Sequence, residues 1–260
     1  MLKTNGGETM TLQEIIPLPK LEQCKRLLCV QPHPDDNEIG AGATIAKLVH
    51  NGCEVVYLTV TDGRIGSNDP KIHPRQLAAI RRKETEASAR LLGVSASFFL
   101  DFQDGSFISE QAVCRKITDV IREVQPEMVM TVDPFLPYET HYDHRTVGMA
   151  TAGACMMASL PHFQGSQGDL PANSWSVAGV AFYNTAYPNT YINVDETWNL
   201  KFTAIAAHKS QFDEEYLKKV RMYFELKGEE YAKGRGFDRA EAFKVLPVTC
   251  LHVNVDAINL

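Results

Sequence analysis

A chain of 260 residues with 44% apolar residues can bury a sizeable core, which excludes a disordered polypeptide and suits one large α/β domain. The formal net charge of -6 offers no global basic field to nucleic acid or anionic lipid. No apolar run approaches the roughly 20 residues that span a bilayer, and Met1 to Met10 is polar and lacks a signal-peptide core. The six cysteines (Cys24, Cys29, Cys53, Cys114, Cys155 and Cys250) are scattered, without a Cys-x-x-Cys pair. Several fall in apolar runs and read as reduced core residues, so a cytoplasmic location is expected.

Residues 1–23 read as an N-terminal arm, in which Pro17 and Pro19 prevent a long helix. Residues 24–260 read as a single domain. A buried strand is predicted over about Arg26 to Gln31, a helix from Ala41 to His50, and a β-branched strand from Glu54 to Thr61. A charged helix follows from Gln76 to Leu92, closed by Gly93, then a short strand from Ser97 to Asp101. Glu110 to Val124 is helical, Met128 to Val132 a strand, and Thr146 to Leu160 a helix rich in small residues. After a Gly/Ser-rich connection, Gln164 to Ser174, strands are expected near Val177 to Tyr183 and Thr190 to Val194. Helices are expected over Trp198 to Phe212 and Glu214 to Gly228, and a late extended segment over Ala242 to Val253. The β-α alternation predicts a Rossmann-like, doubly wound, mostly parallel sheet with helices on both faces. The apolar stretch Leu246 to Val253 arrives after such a sheet should be complete. It is expected to cover a sheet edge or to pair with another chain.

The chain is organised around Val30-Gln31-Pro32-His33-Pro34-Asp35-Asp36-Asn37-Glu38-Ile39-Gly40, where the first strand gives way to the first helix. Ligands bind at that carboxyl edge in open α/β sheets. His33 and Asp36, three residues apart, can reach one cation from the same turn. Asp35 lies between them and must point elsewhere, which frees it to act on a metal-activated water. Paired carboxylates before a helix are also common N-caps. A second cluster raises the metal reading: His141-Tyr142-Asp143-His144 follows the predicted strand Met128 to Val132, so both clusters would meet on one edge of one sheet. Gly40-Ala41-Gly42 also suggests a dinucleotide loop, with Asp62 near the ribose-binding position. Asp35, Asp36 and Glu38 crowd the turn a pyrophosphate would occupy, and a cation fits there where a polyanion does not.

With both clusters placed, the sequence resembles the PIG-L/LmbE-like family of zinc-dependent N-acetylglucosamine deacetylases. Thr61-Asp62-Gly63, Ile80-Arg81-Arg82-Lys83-Glu84, Leu91-Leu92-Gly93-Val94 and Leu136-Pro137-Tyr138-Glu139-Thr140-His141 are similar to its chitobiose-deacetylating branch. So are Ala207-His208-Lys209-Ser210-Gln211-Phe212 and Leu251-His252-Val253, and the likeness runs from about residue 26 to the end. Tyr142 departs from the pattern, since many members carry Pro between His and Asp.

The resemblance implies zinc held by His33, Asp36 and His144, with Asp35 as general base. His141 would assist the tetrahedral intermediate and Asp143 would orient or charge it, although Asp143 also suits a plain loop cap. Arg81 and Asp104 match sugar-holding positions. Arg81 could instead lie on a solvated helix face, and Asp104 could be a turn residue. His252 matches a histidine that reaches a neighbouring subunit's site, which implies a homo-oligomer, a hexamer in that branch. His208, His162, His73 and His50 read as surface or core histidines. Trp175 and Trp198 read as packing residues, though an aromatic near the cleft could stack on a sugar.

The expected activity is hydrolysis of the N-acetyl group of N-acetylglucosamine or its β-1,4 dimer, releasing acetate. The amino sugar would be the partner, with no nucleic acid and no membrane. The alternatives are deacetylation of another N-acetylglucosamine conjugate, such as a low-molecular-weight thiol precursor, and a non-enzymatic metal- or sugar-binding module.

Overall fold

The computed structural model describes residues 12–166, 168 and 173–260, so residues 1–11 of the expected arm and part of the Gly/Ser-rich connection lie outside it. A seven-stranded sheet runs in the order β3-β2-β1-β4-β5-β7-β6. Its strands are β1 (Arg26–Gln31), β2 (Glu54–Thr61), β3 (Ala96–Phe102), β4 (Met128–Val132), β5 (Gly179–Tyr183), β6 (Thr190–Asn193) and β7 (Ala240–Pro247). The first five are mutually parallel, and β7 runs antiparallel to both β5 and β6. β1, β4 and β5 are buried along almost their whole length, which is why they read as continuous apolar runs.

One face of the sheet packs on α2 (Asp36–His50), α3 (Pro74–Leu92) and α6 (Trp198–Ile205), through Leu27, Cys29, Ile45, Leu48, Leu92 and Phe202. The other face packs on α4 (Glu110–Val124) and α5 (Tyr142–Met157), through Leu28, Val30, Ile117, Ile121, Val129 and Val147. α7 (Glu214–Ala232) packs beside β7. The remaining short α1 (Leu12–Ile15) precedes Ile16 and Leu18, which pack against the second face's core. The cysteines are free, and five of the six are buried. Among the described residues no helix is long and apolar enough to cross a membrane.

The chain winds outward from β1 to β2 and β3, then returns to add β4 and β5 on the other side of β1. β1 and β4 are therefore neighbours at the point where strand order reverses, paired in register from Leu27 with Met128 to Cys29 with Met130. This switch point opens a crevice at their carboxyl ends.

Several element boundaries differ from the sequence expectation. α2 begins at Asp36 and α5 at Tyr142, so each cluster supplies the first turn of a helix as well as the preceding loop. α6 stops at Ile205, and Ala207 to Phe212 forms turns. The late extended segment begins at Ala240 and ends at Pro247, followed by a 3-10 turn, Val248–Leu251. It does not cap an edge. β7 sits between β5 and β6, bonded to both, and β6 takes the edge.

Candidate metal centre and catalytic turn

The first cluster is held in place by its own strand, β1, and by the neighbouring β2. Thr61 donates its N–H and its hydroxyl to the carbonyl of Pro32, at 2.9 and 2.8 Å. Gln31, hydrogen-bonded to Thr59, accepts the Asn37 N–H at 2.9 Å and ties α2 back to β1. The turn then forces Asp35 into φ 122°, ψ -20°, a conformation that costs a non-glycine residue on the order of 1–3 kcal/mol. As a result Asp35 and Asp36 face different partners.

Asp36 faces the histidines. Its Oδ2 accepts the His33 N–H at 2.8 Å and lies 3.3 Å from His33 Nδ1, while Oδ1 lies 3.4 Å from His144 Nε2. Asp35 faces Arg81, whose Nη2 donates to its Oδ2 at 3.1 Å and to the Pro34 carbonyl at 2.7 Å. The Arg81 Nη1 donates to the carbonyl of Gly63, at 3.1 Å. Arg81 is buried, not on a solvated helix face, and it clamps the turn that carries Asp35.

The second cluster meets the first from α5. The ring nitrogens of His33, His141 and His144 include atoms mutually within 4.8 Å, and so do donor atoms of His33, Asp104 and Asp143. Asp143 Oδ2 lies 3.4 Å from His33 Nε2 and accepts the Gly105 N–H at 3.4 Å, so its nearest ring is His33 and not His141. Asp104 Oδ1 lies 3.4 Å from the same nitrogen. His141 stacks on His144 at the exposed mouth, with ring centroids 4.7 Å apart. His252 is exposed in the C-terminal segment, with no recorded contact to this cluster among the described residues.

Glu139 is a member that sequence reasoning missed. Its Oε2 lies 3.1 Å from His144 Nδ1, and its Oε1 accepts the His141 N–H at 2.6 Å. A carboxylate on the far nitrogen of a histidine fixes which nitrogen faces a metal. The only sequence signal was its place two residues before His141.

The electrostatics follow from crowding. Burial works against charge on His33, but the carboxylates of Asp104, Asp143 and Asp36 beside it outweigh that and hold the ring well above its usual pKa. Burial is likewise outweighed at Asp36, which the His144 and His33 rings hold well below the usual carboxylate range. Asp35 is different. Its burial pushes the carboxyl up to about 7, against the pull of Arg81 and with a further push from Asp36. At His141, burial and the neighbouring His33 and His144 all disfavour the cation and lower the pKa.

The donor set suits a divalent cation. Three carboxylates converge on one imidazole, and the buried Asp104 Oδ1 and Asp143 Oδ1 have no hydrogen-bond partner. Two imidazoles and a carboxylate, His33, His144 and Asp36, are a ligand type that leaves positions open for water and substrate.

The family model of GlcNAc-PI de-N-acetylases (PIG-L) matches residues 28–155, which contain both clusters. A diacetylchitobiose deacetylase of Thermococcus kodakarensis is 37% identical over 236 residues, covering 88% of this chain and 86% of that protein. The chain belongs to the PIG-L/LmbE deacetylase family. A solved N,N'-diacetylchitobiose deacetylase from Pyrococcus horikoshii, complexed with its inhibitor MPG, superposes with a TM-score of 0.84 at 36% identity. That match covers 94% of this chain and 93% of the other. A 1D-myo-inositol 2-acetamido-2-deoxy-alpha-D-glucopyranoside deacetylase of Kineococcus radiotolerans is 33% identical over 198 residues, 64% of this chain and 54% of that one. The family is one of deacetylases, and the His/Asp crevice at the switch point is this chain's candidate metal site.

Proposed function

We propose that this protein is a zinc-dependent N-deacetylase that removes the acetyl group from N-acetylglucosamine units, with diacetylchitobiose as its substrate. The observation that carries this reading is the division of labour between adjacent carboxylates. Asp36 lies between His33 and His144, while Asp35 is turned away from them and held by Arg81. His33, Asp36 and His144 would hold the ion, with His141 beside them. When bound, zinc supplies Lewis acidity toward the amide carbonyl and lowers the pKa of water.

Asp35, the base in the crevice, accepts a proton from the attacking water. Arg81 fixes the orientation of its carboxylate through the 3.1 Å contact. His141, at the open mouth, donates to the developing oxyanion. As the C–N bond breaks, a proton passes from Asp35 or His141 to the leaving amine. Water has then been divided between an acetate and a free amino group. Asp104 and Arg81 would border the sugar.

The test is acetate release from N-acetylglucosamine, its β-1,4 dimer and inositol- and malate-linked N-acetylglucosamine, with zinc present. Fastest turnover of the dimer supports the reading. Preference for a thiol-precursor conjugate would replace the substrate, and metal-loaded protein that binds sugars without releasing acetate would favour a binding module.

A homo-oligomer, hexameric as in the chitobiose branch, belongs to the same reading. The exposed Val253, Val255 and Ile258 around His252 support a covering partner. Light scattering tests it, because a particle of 29.0 kDa would remove any shared site.

A further inference from the structure

The turn after α6, Ala207-His208-Lys209-Ser210-Gln211-Phe212, is a motif that the reaction leaves unused. It folds back on itself, since the His208 carbonyl accepts the N–H groups of Gln211 and Phe212 at 2.9 and 3.0 Å. His208 is buried, Ser210 and Gln211 are half-buried, and Lys209 is left exposed.

Each of the three inward residues meets a different support of Asp35. His208 sets its Nε2 3.6 Å from Glu38 Oε2, and Glu38 lies in the first turn of α2, the helix for which Asp35 is the N-cap residue. The other Glu38 oxygen accepts the Ser88 hydroxyl of α3 at 2.7 Å. Ser210 donates its N–H and its hydroxyl to Glu84, at 2.8 and 2.6 Å. Glu84 stands three residues after Arg81, on the same side of α3. Gln211 Nε2 donates to the Gly66 carbonyl at 3.0 Å, and the Gly66 N–H donates to the Gly63 carbonyl at 3.2 Å. That Gly63 carbonyl is the one that accepts Arg81 Nη1. A Cβ at Gly66 would lie 2.6 Å from Arg81 Nη1 and 3.1 Å from Gln211 Oε1, so both side chains press on one residue.

The Gly63–Gly66 loop belongs to no strand or helix, so its place depends on what grips it. Arg81 grips it from α3 and Gln211 from the turn after α6. His208 adds charge to the same corner. Burial opposes a charge on its ring, but the carboxylates of Glu38, Asp35 and Glu84 outweigh that and raise its pKa. We propose that this turn is a brace for the general base: His208, Ser210 and Gln211 are positioning residues that hold α2, α3 and the Gly63–Gly66 loop in the arrangement in which Arg81 meets Asp35. The role of the base rests on the deacetylase reading; the brace itself is a matter of structure and can be read without turnover.

The test uses Gln211→Glu, which keeps the size of the side chain but sets an acceptor where the Gly66 carbonyl needs a donor. Ser210→Ala, which removes one hydroxyl, is the milder second variant. Hydrogen–deuterium exchange, zinc content and the kinetics of acetate release from the β-1,4 dimer are measured on the same zinc-loaded samples. Exchange should quicken in residues 61–67 and also in residues 33–40, where the Ile39 N–H donates to the Asp35 carbonyl at 3.0 Å. With zinc retained, kcat should fall about tenfold while KM changes by less than about twofold, the pattern of a misplaced base and not of weakened binding. An unchanged kcat, quickened exchange confined to residues 61–67, or a loss of kcat that tracks a loss of zinc each overturns the brace. If the wild type releases no acetate, the deacetylase reading falls, and the exchange in residues 33–40 alone decides whether the brace stands.

Discussion

Two groups of buried charge touch the first turns of α2, and their partners differ in kind. Lys201 and Glu241 answer each other completely. The Lys201 ammonium donates to Glu241 and to the Ile39 carbonyl, both at 2.6 Å, and Glu241 also accepts the N–H groups of Ala43 and Thr44. The His33 cluster does not close on itself. The carboxylates of Asp36, Asp104 and Asp143 stand 3.3 to 3.4 Å from ring nitrogens, at or beyond good hydrogen-bond length, and two buried carboxylate oxygens, Asp104 Oδ1 and Asp143 Oδ1, have no hydrogen-bond partner. A buried pair with every group satisfied fixes a helix in place. A buried group with acceptors in excess is organised for a cation.

The largest effect that separates the two regions concerns metal. His33→Ala, Asp36→Ala and His144→Ala should each abolish or severely lower stoichiometric zinc by elemental analysis, and activity with it. Lys201→Met should leave zinc in place. Full metal retention in all three ligand variants would erase the distinction between the clusters.

Stability should show the reverse pattern. Lys201→Met leaves the Glu241 carboxylate buried without its cation and should cost about 3–5 kcal/mol in chemical denaturation. Asp104→Asn, which relieves crowding around His33, should cost far less or stabilise the metal-free protein. Equal losses at the two sites would mean that both are structural pairs.

A smaller effect sharpens the boundary of the metal region. Glu139→Gln should weaken zinc affinity by roughly 10–100-fold, as removal of a carboxylate behind a ligating histidine does. Competition with a chelator measures it without reference to turnover. Unchanged affinity would confine Glu139 to capping the His141 amide.

Much of the His/Asp cluster was legible because its parts are local in sequence. His33 and Asp36 share one turn, His141 to His144 share another, and each follows an apolar run recognisable as a strand. The parallel β-α alternation then implied that the two turns meet. The paired region had no such signal. Lys201 and Glu241 lie 40 residues apart in unrelated elements, and only packing brings them to 2.6 Å. Arg81 sits among Arg82, Lys83 and Glu84, a run that looks like a solvated face, and its burial depends on the Gly63 loop folding over it. The place of β7 was illegible for a topological reason. A late strand can be inserted between earlier ones, and chain order does not say that β6 is the edge. Two helix starts were read late because Asp36 and Asp143 look like loop residues until their turns close.

The central claim is that Asp35 and Asp36, adjacent in sequence, have been given separate tasks. The direct measurement is turnover of the β-1,4 dimer by Asp35→Asn protein whose zinc content is determined on the same sample. The account predicts one equivalent of zinc and a rate lowered by roughly 10²–10⁴-fold, the usual contribution of a general base. Wild-type turnover in the zinc-loaded variant would contradict it.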